Sequence, residues 1–335
     1  MTADLAAVDF AKLPQHPLAM VPTPLVRAPR LSAAAGVDLW IKRDDQTGLA
    51  LGGNKARKLE FHLGHALAEG ADTLITMGGA QSNHCRMTAA AAAACGLEAR
   101  LVFNGEPILV EQGNMVLDRL LGATWTFPKP GQSSVERMEE IAEALCEEGR
   151  RPYVIPSGGT NGRGVLGYVK AGLEIAQQCA ELGISARAAY SAAGSCGTVA
   201  GLALGFALGG LATEVVAVSI SRGVPDKVAQ VRSLVGEAAA LLGVAVPPYR
   251  LRVSDDYLGE GYGRPTELST EALSLAARTE GIILDPVYTA KALSAVLGDR
   301  RRGLLDADDL VVFVHTGGTP ALFAEQDLYW PRTGS

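Results

Sequence analysis

The sequence predicts an α/β fold with two open, mainly parallel, twisted sheets flanked by helices. Short apolar runs typical of buried strands alternate with segments of helical period along nearly the whole chain. Several of these runs end in glycine-rich turns that lead into a helix, as in parallel strands joined by right-handed crossovers. The alternation continues through both halves without an internal repeat or a low-complexity linker, so we expect two sheets.

The first half opens with an arm punctuated by prolines, followed by a strand in which apolar residues alternate. Ser133 and Glu136 predict a capping box at the start of one helix. The predicted strands are 37–43, 72–77, 99–103 and 153–155, and the predicted helices are 55–69, 83–95, 113–121 and 133–148.

The second half repeats the same alternation. Pro225 is expected in the first turn of a helix, where its missing N–H is tolerated. The predicted strands are 187–191, 214–220 and 310–315, and the other predicted helices are 165–181, 199–208, 268–279 and 289–297.

Composition excludes several classes of function. The 335 residues are 48% hydrophobic and 20% charged, as in ordinary globular proteins. The net charge of −6 and the lack of a basic stripe argue against nucleic-acid binding; 300–302 is interpreted as a solvated helix end. No stretch predicts a membrane span or a secretory signal. Five widely spaced cysteines predict reduced thiols in a cytoplasm, and scattered histidines predict no metal site.

The stretch 52–60 is the first candidate site. Gly52 and Gly53 free the backbone, Asn54 is a candidate helix cap, and Lys55 and Lys58 share one face near the positive end of the helix dipole. Two amines there are favourable if an anionic or carbonyl-bearing group occupies the cleft, and pyridoxal phosphate carries both groups. For either lysine alone, a solvated basic face is the simpler interpretation.

Further side chains are candidates for substrate contact. In the turn at 78–84, free backbone N–H groups with Ser82 and Asn83 would hold a carboxylate, although a plain helix cap explains the same residues. Tyr262 and Tyr288 lie in turn-rich segments, where packing is the simpler interpretation of an isolated tyrosine.

Two more glycine turns follow predicted strands, at the edge where open parallel sheets bind ligands. In the turn at 193–198, the backbone and the Thr198 hydroxyl can cradle a phosphate, but the pattern is not a nucleotide-binding motif. After the last strand, Thr316 is placed to face a ring nitrogen, and His315 is interpreted as a core residue.

Together these motifs resemble the fold type II pyridoxal-phosphate enzymes, specifically the group of D-cysteine desulfhydrase, L-cysteate sulfo-lyase and 1-aminocyclopropane-1-carboxylate deaminase. The resemblance runs from about Pro22 to Tyr329. The segments that carry it are IKRDD at 41–45, GGNKARKLE at 52–60, QSNH at 81–84, LDPVYT at 284–289 and HTGG at 315–318.

The resemblance implies a role for each of these residues. Lys55 forms the Schiff base with the cofactor, Asn54 meets its phenolic oxygen, Lys58 meets its phosphate and Thr316 sits at its pyridine nitrogen. The implied phosphate cup is Ala193, Gly194, Ser195, Gly197 and Thr198. The implied catalytic residues are Lys55, Ser82, Tyr262 and Tyr288. The implied substrate-binding residues are Gln81, Ser82, Asn83, His84 and Thr289.

The resemblance also implies a large cofactor-binding domain at 1–48 and 162–335, a small domain at 49–161 that carries the Schiff-base lysine and the carboxylate loop, and a homodimer. The implied activity is that of a carbon–sulfur lyase. It would eliminate the β-substituent of a small amino acid, of the D-cysteine or L-cysteate type, to give pyruvate, ammonia and sulfide or sulfite. The alternatives are 1-aminocyclopropane-1-carboxylate deaminase, an amino-acid racemase and, from a different class, a phosphate-ligand binding protein without catalysis.

Three positions favour sulfur elimination over the cyclopropane deaminase. That enzyme's pattern has glutamate, glutamine and leucine where this chain has Thr289, His84 and Thr316. A threonine at the pyridine nitrogen leaves the ring a weaker electron sink, which suits loss of a good leaving group. Cys196 in the cup and Arg264 after the first tyrosine depart from the pattern; Arg264 would either pair an anionic substrate tail or lie on the surface.

Overall fold

The computed structural model describes residues 8–108 and 110–324 of the chain. In these ranges the backbone forms two mainly parallel sheets flanked by helices, which confirms the predicted fold class. The extreme N-terminal segment, including the residues tested for a secretory signal, and the end of the resemblance at Tyr329 lie outside the described residues.

The strands form two sheets in the described part of the chain. They are β1 (Leu25–Arg27), β2 (Asp38–Lys42), β3 (Thr73–Gly78), β4 (Glu98–Phe103), β5 (Thr124–Thr126), β6 (Pro152–Val154), β7 (Ala188–Ala193), β8 (Glu214–Ser219), β9 (Leu251–Ser254) and β10 (Leu310–Val314). The larger sheet has the order β1-β2-β10-β7-β8-β9, in which the β1–β2 pair is antiparallel, and the smaller sheet has the order β5-β4-β3-β6.

The topology brings the predicted turns together. β10 pairs with β7 in parallel, and β3 pairs with β6 in parallel, so the turns after each pair emerge at one edge of their sheet. The larger sheet uses segments before 43 and after 187, and the smaller sheet uses 73–154. These ranges agree with the expected domain limits, but the division into domains stays a prediction.

The helices cover the faces of the sheets. They are α1 (Pro29–Ala35), α2 (Lys55–Ala68), α3 (Asn83–Ala94), α4 (Asn114–Leu120), α5 (Ser134–Glu147), α6 (Gly162–Leu182), α7 (Gly197–Leu208), α8 (Val224–Leu242), α9 (Glu267–Glu280) and α10 (Thr289–Arg301). The predicted capping box of Ser133 and Glu136 is present at the start of α5, and Pro225 lies in the first turn of α8. None of the helices in 8–108 and 110–324 is both long and apolar enough to cross a bilayer.

Helices α2, α6 and α7 approach one another through glycines. A Cβ atom added at Gly167 of α6 would lie 2.1 Å from the carbonyl oxygen of Arg57 in α2. A Cβ added at Gly172 would lie 2.8 Å from the Cα of Gly205 in α7. Because side chains at these positions would separate the helices, glycine sets the distance from α2 to the larger sheet.

A buried ionic network also fixes α2. Arg57 donates to both carboxylate oxygens of Asp44 at 2.9 Å and to Glu174 of α6 at 2.9 Å. Tyr168 donates to Asp44 at 2.6 Å, and Lys42 of β2 pairs with Glu174 at 2.5 Å. The network therefore joins β2, α2 and α6 next to the residues that begin α2.

Four elements escaped the sequence analysis: β1, α1, β5 and β9. The three strands are edge strands of three or four residues, and they are only partly buried. Such strands carry too short an apolar alternation to be distinguished from loops. Helix α1 has only seven residues and begins at Pro29, shortly after the arm that is punctuated by prolines, so its helical pattern is too short to be recognised.

Candidate active site

A cavity of about 550 Å³ is lined by turns at the carboxyl ends of strands from both sheets. This volume lies in the usual range for small-molecule sites. No Asp or Glu side chain belongs to the described residues of the lining. The expected site residues that line the cavity are Asn54, Lys55, Ser82, Asn83, His84, Gly194, Ser195, Gly197, Thr198, Tyr262, Tyr288 and Thr316.

Lys55 is the first residue of α2, and its amine reaches the cavity. The preceding turn needs glycine, since Gly52 has a φ of 71° and a Cβ there would lie 1.9 Å from the carbonyl oxygen of Asp45. The Lys55 Nζ donates to the carbonyl oxygen of Gly158 at 3.2 Å. Burial lowers the pKa of Lys55 to about 8, so about a tenth of the amine is neutral at pH 7, far more than for a solvated lysine.

Asn54 does not cap α2 with its side chain, contrary to the prediction. Its backbone is already helical, and its amide nitrogen instead donates to the Thr198 hydroxyl at 2.9 Å, across the cavity. The bond connects the start of α2 to the turn at 193–198, which places Asn54 in the cavity wall.

Lys58 lies beneath the 193–198 turn and is not part of the cavity lining. Its Nζ donates to the carbonyl oxygen of Gly158 and to the Thr160 hydroxyl, both at 2.6 Å. Burial, together with the charge of Lys55, holds the pKa of Lys58 well below its usual value. A Cβ added at Gly197 would lie 2.7 Å from this Nζ, so only glycine leaves the amine directly below the turn.

The 193–198 turn presents unpaired amides. The backbone N–H groups of Ser195, Cys196 and Gly197 donate to none of the described residues. Cys196 has a left-handed backbone with a φ of 62°, which turns the chain into α7. Ala193 ends β7, is buried, and does not belong to the lining, unlike the other residues of the implied cup.

The turn after β3 provides the second wall. The Ser82 side chain accepts from the amide of Cys85 at 3.2 Å, so the cap interpretation holds, while Ser82 also lines the cavity. Gln81 points away from the cavity, because its side chain bonds to the Gln112 carbonyl and to the Asn114 amide at 2.8 Å each. The implied contact of Gln81 with substrate is therefore not supported, and its role here is to hold the 112–114 segment.

His84 lines the cavity as a neutral imidazole. Burial, then the charges of Lys55 and Lys58, hold its pKa well below the usual value. Its Nε2 lies 2.8 Å from the Thr76 hydroxyl, which itself donates to the carbonyl oxygen of Ile155 at 2.8 Å. The network thus assigns the proton to Nε2. The ring supplies no positive charge to a carboxylate.

Tyr262 and Tyr288 form a pair at the cavity. Their hydroxyls are 2.8 Å apart and their rings are edge-to-face. Burial, then the neighbouring Tyr262 hydroxyl, holds the pKa of Tyr288 well above its usual value, so its hydroxyl keeps its proton at neutral pH. Arg264 is exposed and lies outside the lining, which favours the surface interpretation.

Thr289 does not reach the cavity, which corrects its implied contact with substrate. Its side chain is fully buried, and its hydroxyl bonds to the Asp285 carboxylate at 2.6 Å. Asp285 also accepts from the amides of Val287 and Tyr288 at 2.9 and 2.8 Å. Thr289 and Asp285 therefore hold the turn that presents Tyr288.

Thr316 follows β10 and lines the cavity. Its carbonyl oxygen accepts a hydrogen bond from the backbone N–H of Asn54 at 3.0 Å. His315 is fully buried outside the lining, with its Nε2 3.0 Å from the carbonyl oxygen of Ile283, as the core interpretation predicted.

These residues fit pyridoxal phosphate. Three unpaired amides at the start of α7, with the amine of Lys58 below them, form a site for a phosphate. The Lys55 amine reaches the same cavity and suits an aldehyde. The sequence analysis missed Gly158 and Thr160, which position both lysines; the signal was the Pro-Ser-Gly-Gly turn at 156–159, to which we assigned no role.

Comparisons with known proteins identify the family of the chain. The profile of the family "Pyridoxal-phosphate dependent enzyme" matches residues 17–317. A D-cysteine desulfhydrase of Klebsiella pneumoniae (strain 342) is 42% identical over 94% of this chain and 97% of its own length. A D-cysteine desulfhydrase of Salmonella choleraesuis (strain SC-B67) is 41% identical with the same coverage. The crystal structure of an "ACC deaminase homologue" superposes with a TM-score of 0.87 at 40% identity, covering 96% of this chain and 97% of the other.

Proposed function

The chain belongs to the pyridoxal-phosphate dependent enzymes, and from this premise we propose that it is a carbon–sulfur lyase that eliminates sulfide from D-cysteine. Pyridoxal phosphate is its cofactor. The overall reaction converts cysteine and water into pyruvate, ammonia and hydrogen sulfide. The identity of 41–42% to D-cysteine desulfhydrases, over 94% of this chain, supports this substrate class.

The observation that carries the proposal is the set of proton-carrying groups at the cavity. The tyrosine pair and the Lys55 amine line it, while no acidic side chain does so among the described lining residues. Thr316 lines the cavity, and it would offer the pyridine nitrogen a hydroxyl rather than a carboxylate. This set suits loss of a good leaving group such as a thiol, which demands less of the ring than opening a cyclopropane.

The reaction can be assigned to these side chains. Pyridoxal phosphate, held by Lys55 and the 193–198 turn, would supply an aldehyde function for the substrate amine and a ring that stabilises negative charge at Cα. The amide of Asn83 and the hydroxyl of Ser82 bind the substrate carboxylate and so orient Cα. Lys55 Nζ, with a pKa lowered to about 8 by burial, takes the Cα proton. The Tyr288 hydroxyl is protonated at neutral pH, and it donates this proton to the departing sulfur.

The test is a screen for pyruvate release from D-cysteine, L-cysteine, L-cysteate and β-chloroalanine. We expect turnover of D-cysteine, and Lys55→Ala should abolish it, whereas replacing the exposed Lys12 by alanine should not. Release of 2-oxobutyrate from 1-aminocyclopropane-1-carboxylate without pyruvate from any of the four would support the deaminase instead. Loss of optical activity without product would support a racemase. A colourless protein unaffected by borohydride would indicate ligand binding without catalysis.

We also propose that the enzyme is a cytoplasmic homodimer. The resemblance to fold type II enzymes supports the dimer, and the five cysteines, which form no disulfide in the structure, support a reducing compartment. Sedimentation of the purified chain tests the dimer; a monomer at micromolar concentration would contradict it.

A further inference from the structure

Arg86 is a buried cation that the reaction as described above does not use. It lies in α3 one turn after the start of the helix, and its side chain is fully buried. No carboxylate oxygen of the described residues lies within 4.0 Å of its guanidinium. Burying a guanidinium without a counter-ion is unfavourable, so the position calls for an explanation.

The guanidinium joins the two walls of the cavity. Its Nη2 donates to the carbonyl oxygen of Gly52 at 2.9 Å, two residues before Asn54. Its Nη1 donates to the side-chain oxygen of Asn114 at 2.8 Å and to that of Asn83 at 3.2 Å. One planar group therefore sets the spacing between the start of α2 and the turn that opens α3.

The same contacts fix the orientation of the Asn83 amide. Its Oδ1 also accepts from the Asn114 side chain at 3.0 Å, so two N–H donors converge on this oxygen. A rotated amide would place its NH2 group against both donors, which is repulsive. The Nδ2 of Asn83 therefore faces the other way, toward Gly318, and none of the described residues accepts a hydrogen bond from it. Asn83 also lines the cavity, so this NH2 group is free to bind a ligand there.

The positive charge of Arg86 would attract an anion bound at Asn83. Asp118 and Asp285 are the acidic groups that face Arg86, and both lie beyond ion-pair distance in the described structure. An anion bound to the Asn83 NH2 group would lie one amide away from an otherwise unpaired cation, in a buried environment where charges are weakly screened.

We propose that Arg86 is a positioning residue for the substrate carboxylate: it turns the NH2 group of Asn83 into the cavity and supplies the positive charge behind it. The inference rests on the proposed function, since that function places an amino-acid carboxylate at this turn. It assigns carboxylate recognition to a residue that makes no contact with the substrate.

The experiment compares two amines that differ only by the carboxylate, D-alanine and ethylamine. Neither carries a leaving group, so each is titrated into the holoenzyme by the change in visible cofactor absorbance. Arg86→Gln is expected to weaken D-alanine about 10- to 100-fold while changing ethylamine little. A merely structural role would weaken both amines alike, and an unchanged ratio of the two affinities would overturn the proposal.

A second variant covers the case in which Arg86→Gln does not fold. Asn114→Asp keeps the shape of the side chain but places a carboxylate against the Arg86 guanidinium and removes one N–H donor to Asn83. The preference for D-alanine over ethylamine should therefore fall about tenfold. A folded Asn114→Asp protein with the wild-type preference would equally refute the role. The control is Arg300→Gln, since Arg300 donates to the carbonyl oxygen of Gly36 far from the cavity, and its variant should keep the preference.

Failure of the proposed function would be recognised separately. If the wild-type protein releases no pyruvate from D-cysteine, the lyase assignment fails, but the comparison of D-alanine with ethylamine still reports on Arg86.

Discussion

Replacing Asp118 by asparagine should raise the stability of the protein relative to the wild type as the pH increases from 5 to 8. Asp118 lies on α4, its side chain is fully buried, and neither carboxylate oxygen accepts a hydrogen bond from any of the described residues. Burial raises its pKa to about 7, and the nearby charge of Arg86 offsets only part of this shift. Asparagine keeps the shape but cannot ionise, so the difference between the two proteins isolates the titration of this one carboxyl group.

The sign and magnitude follow from linkage. The pKa of Asp118 in the folded state is above the value of about 3.9 in an unfolded chain, so the folded state holds the proton more tightly. The stability that this carboxyl contributes is present in full below about pH 4 and is lost as the pH rises through 7. Between pH 5 and pH 8 the loss amounts to about 3 kcal/mol. For a chain of this length, this corresponds to about 4 °C in melting temperature.

The assay is the melting temperature of both holoenzymes across pH 5 to 8. We expect the difference, Asp118→Asn minus wild type, to increase from pH 5 to about pH 7 and then to level off, whatever constant offset the amide introduces. Asp308→Asn serves as the control at an exposed carboxylate and should follow the wild-type profile. A difference for Asp118→Asn that stays flat over this range would refute the reasoning.

Three further changes test the site and the helix that carries it. Tyr288→Phe should lower kcat for D-cysteine about 10²- to 10⁴-fold with a smaller effect on KM, because it removes the proton donor to sulfur; full activity would contradict that role. Gly197→Ala should weaken cofactor affinity about tenfold in absorbance titrations, because its Cβ would lie 2.7 Å from Lys58 Nζ; unchanged affinity would argue against the phosphate site. Arg57→Met should lower stability by about 3–5 kcal/mol in thermal melts, because it leaves Asp44 buried without its partner; a neutral effect would show that the network contributes little.

The fold was largely predictable because its central strands and long helices have strong local signals. Strand 214–220, for example, is an almost continuous apolar run, and the structure places β8 at Glu214–Ser219 as an interior strand of the larger sheet, between β7 and β9. The elements that escaped are short, lie at sheet edges or at the surface, and depend on tertiary contacts rather than on local pattern. β5, with three partly exposed residues, exists because β4 offers it a partner.

The site residues were predictable where a single motif places the side chain at the cavity. They were less predictable where the side chain can bond to a neighbouring residue instead. Lys55 lies at the cavity as its glycine turn indicates, whereas Thr289 and Gln81 bond to neighbours instead. Such competition between partners depends on residues distant in sequence. The contacts of Arg86 could not be predicted either, because its partners at Gly52 and Asn114 are distant in sequence. The sequence signal was a charged residue just before a run of alanines.

Gly167 restricts how the packing of α2 against α6 can change during evolution. Because backbone meets backbone there, no flexible side chain can absorb a shift between α2 and α6. The start of α2, which carries Lys55, is thus positioned by a main-chain contact, and substitutions in the turns that line the cavity would leave that contact unchanged. Substrate preference should therefore drift more readily than the chemistry itself.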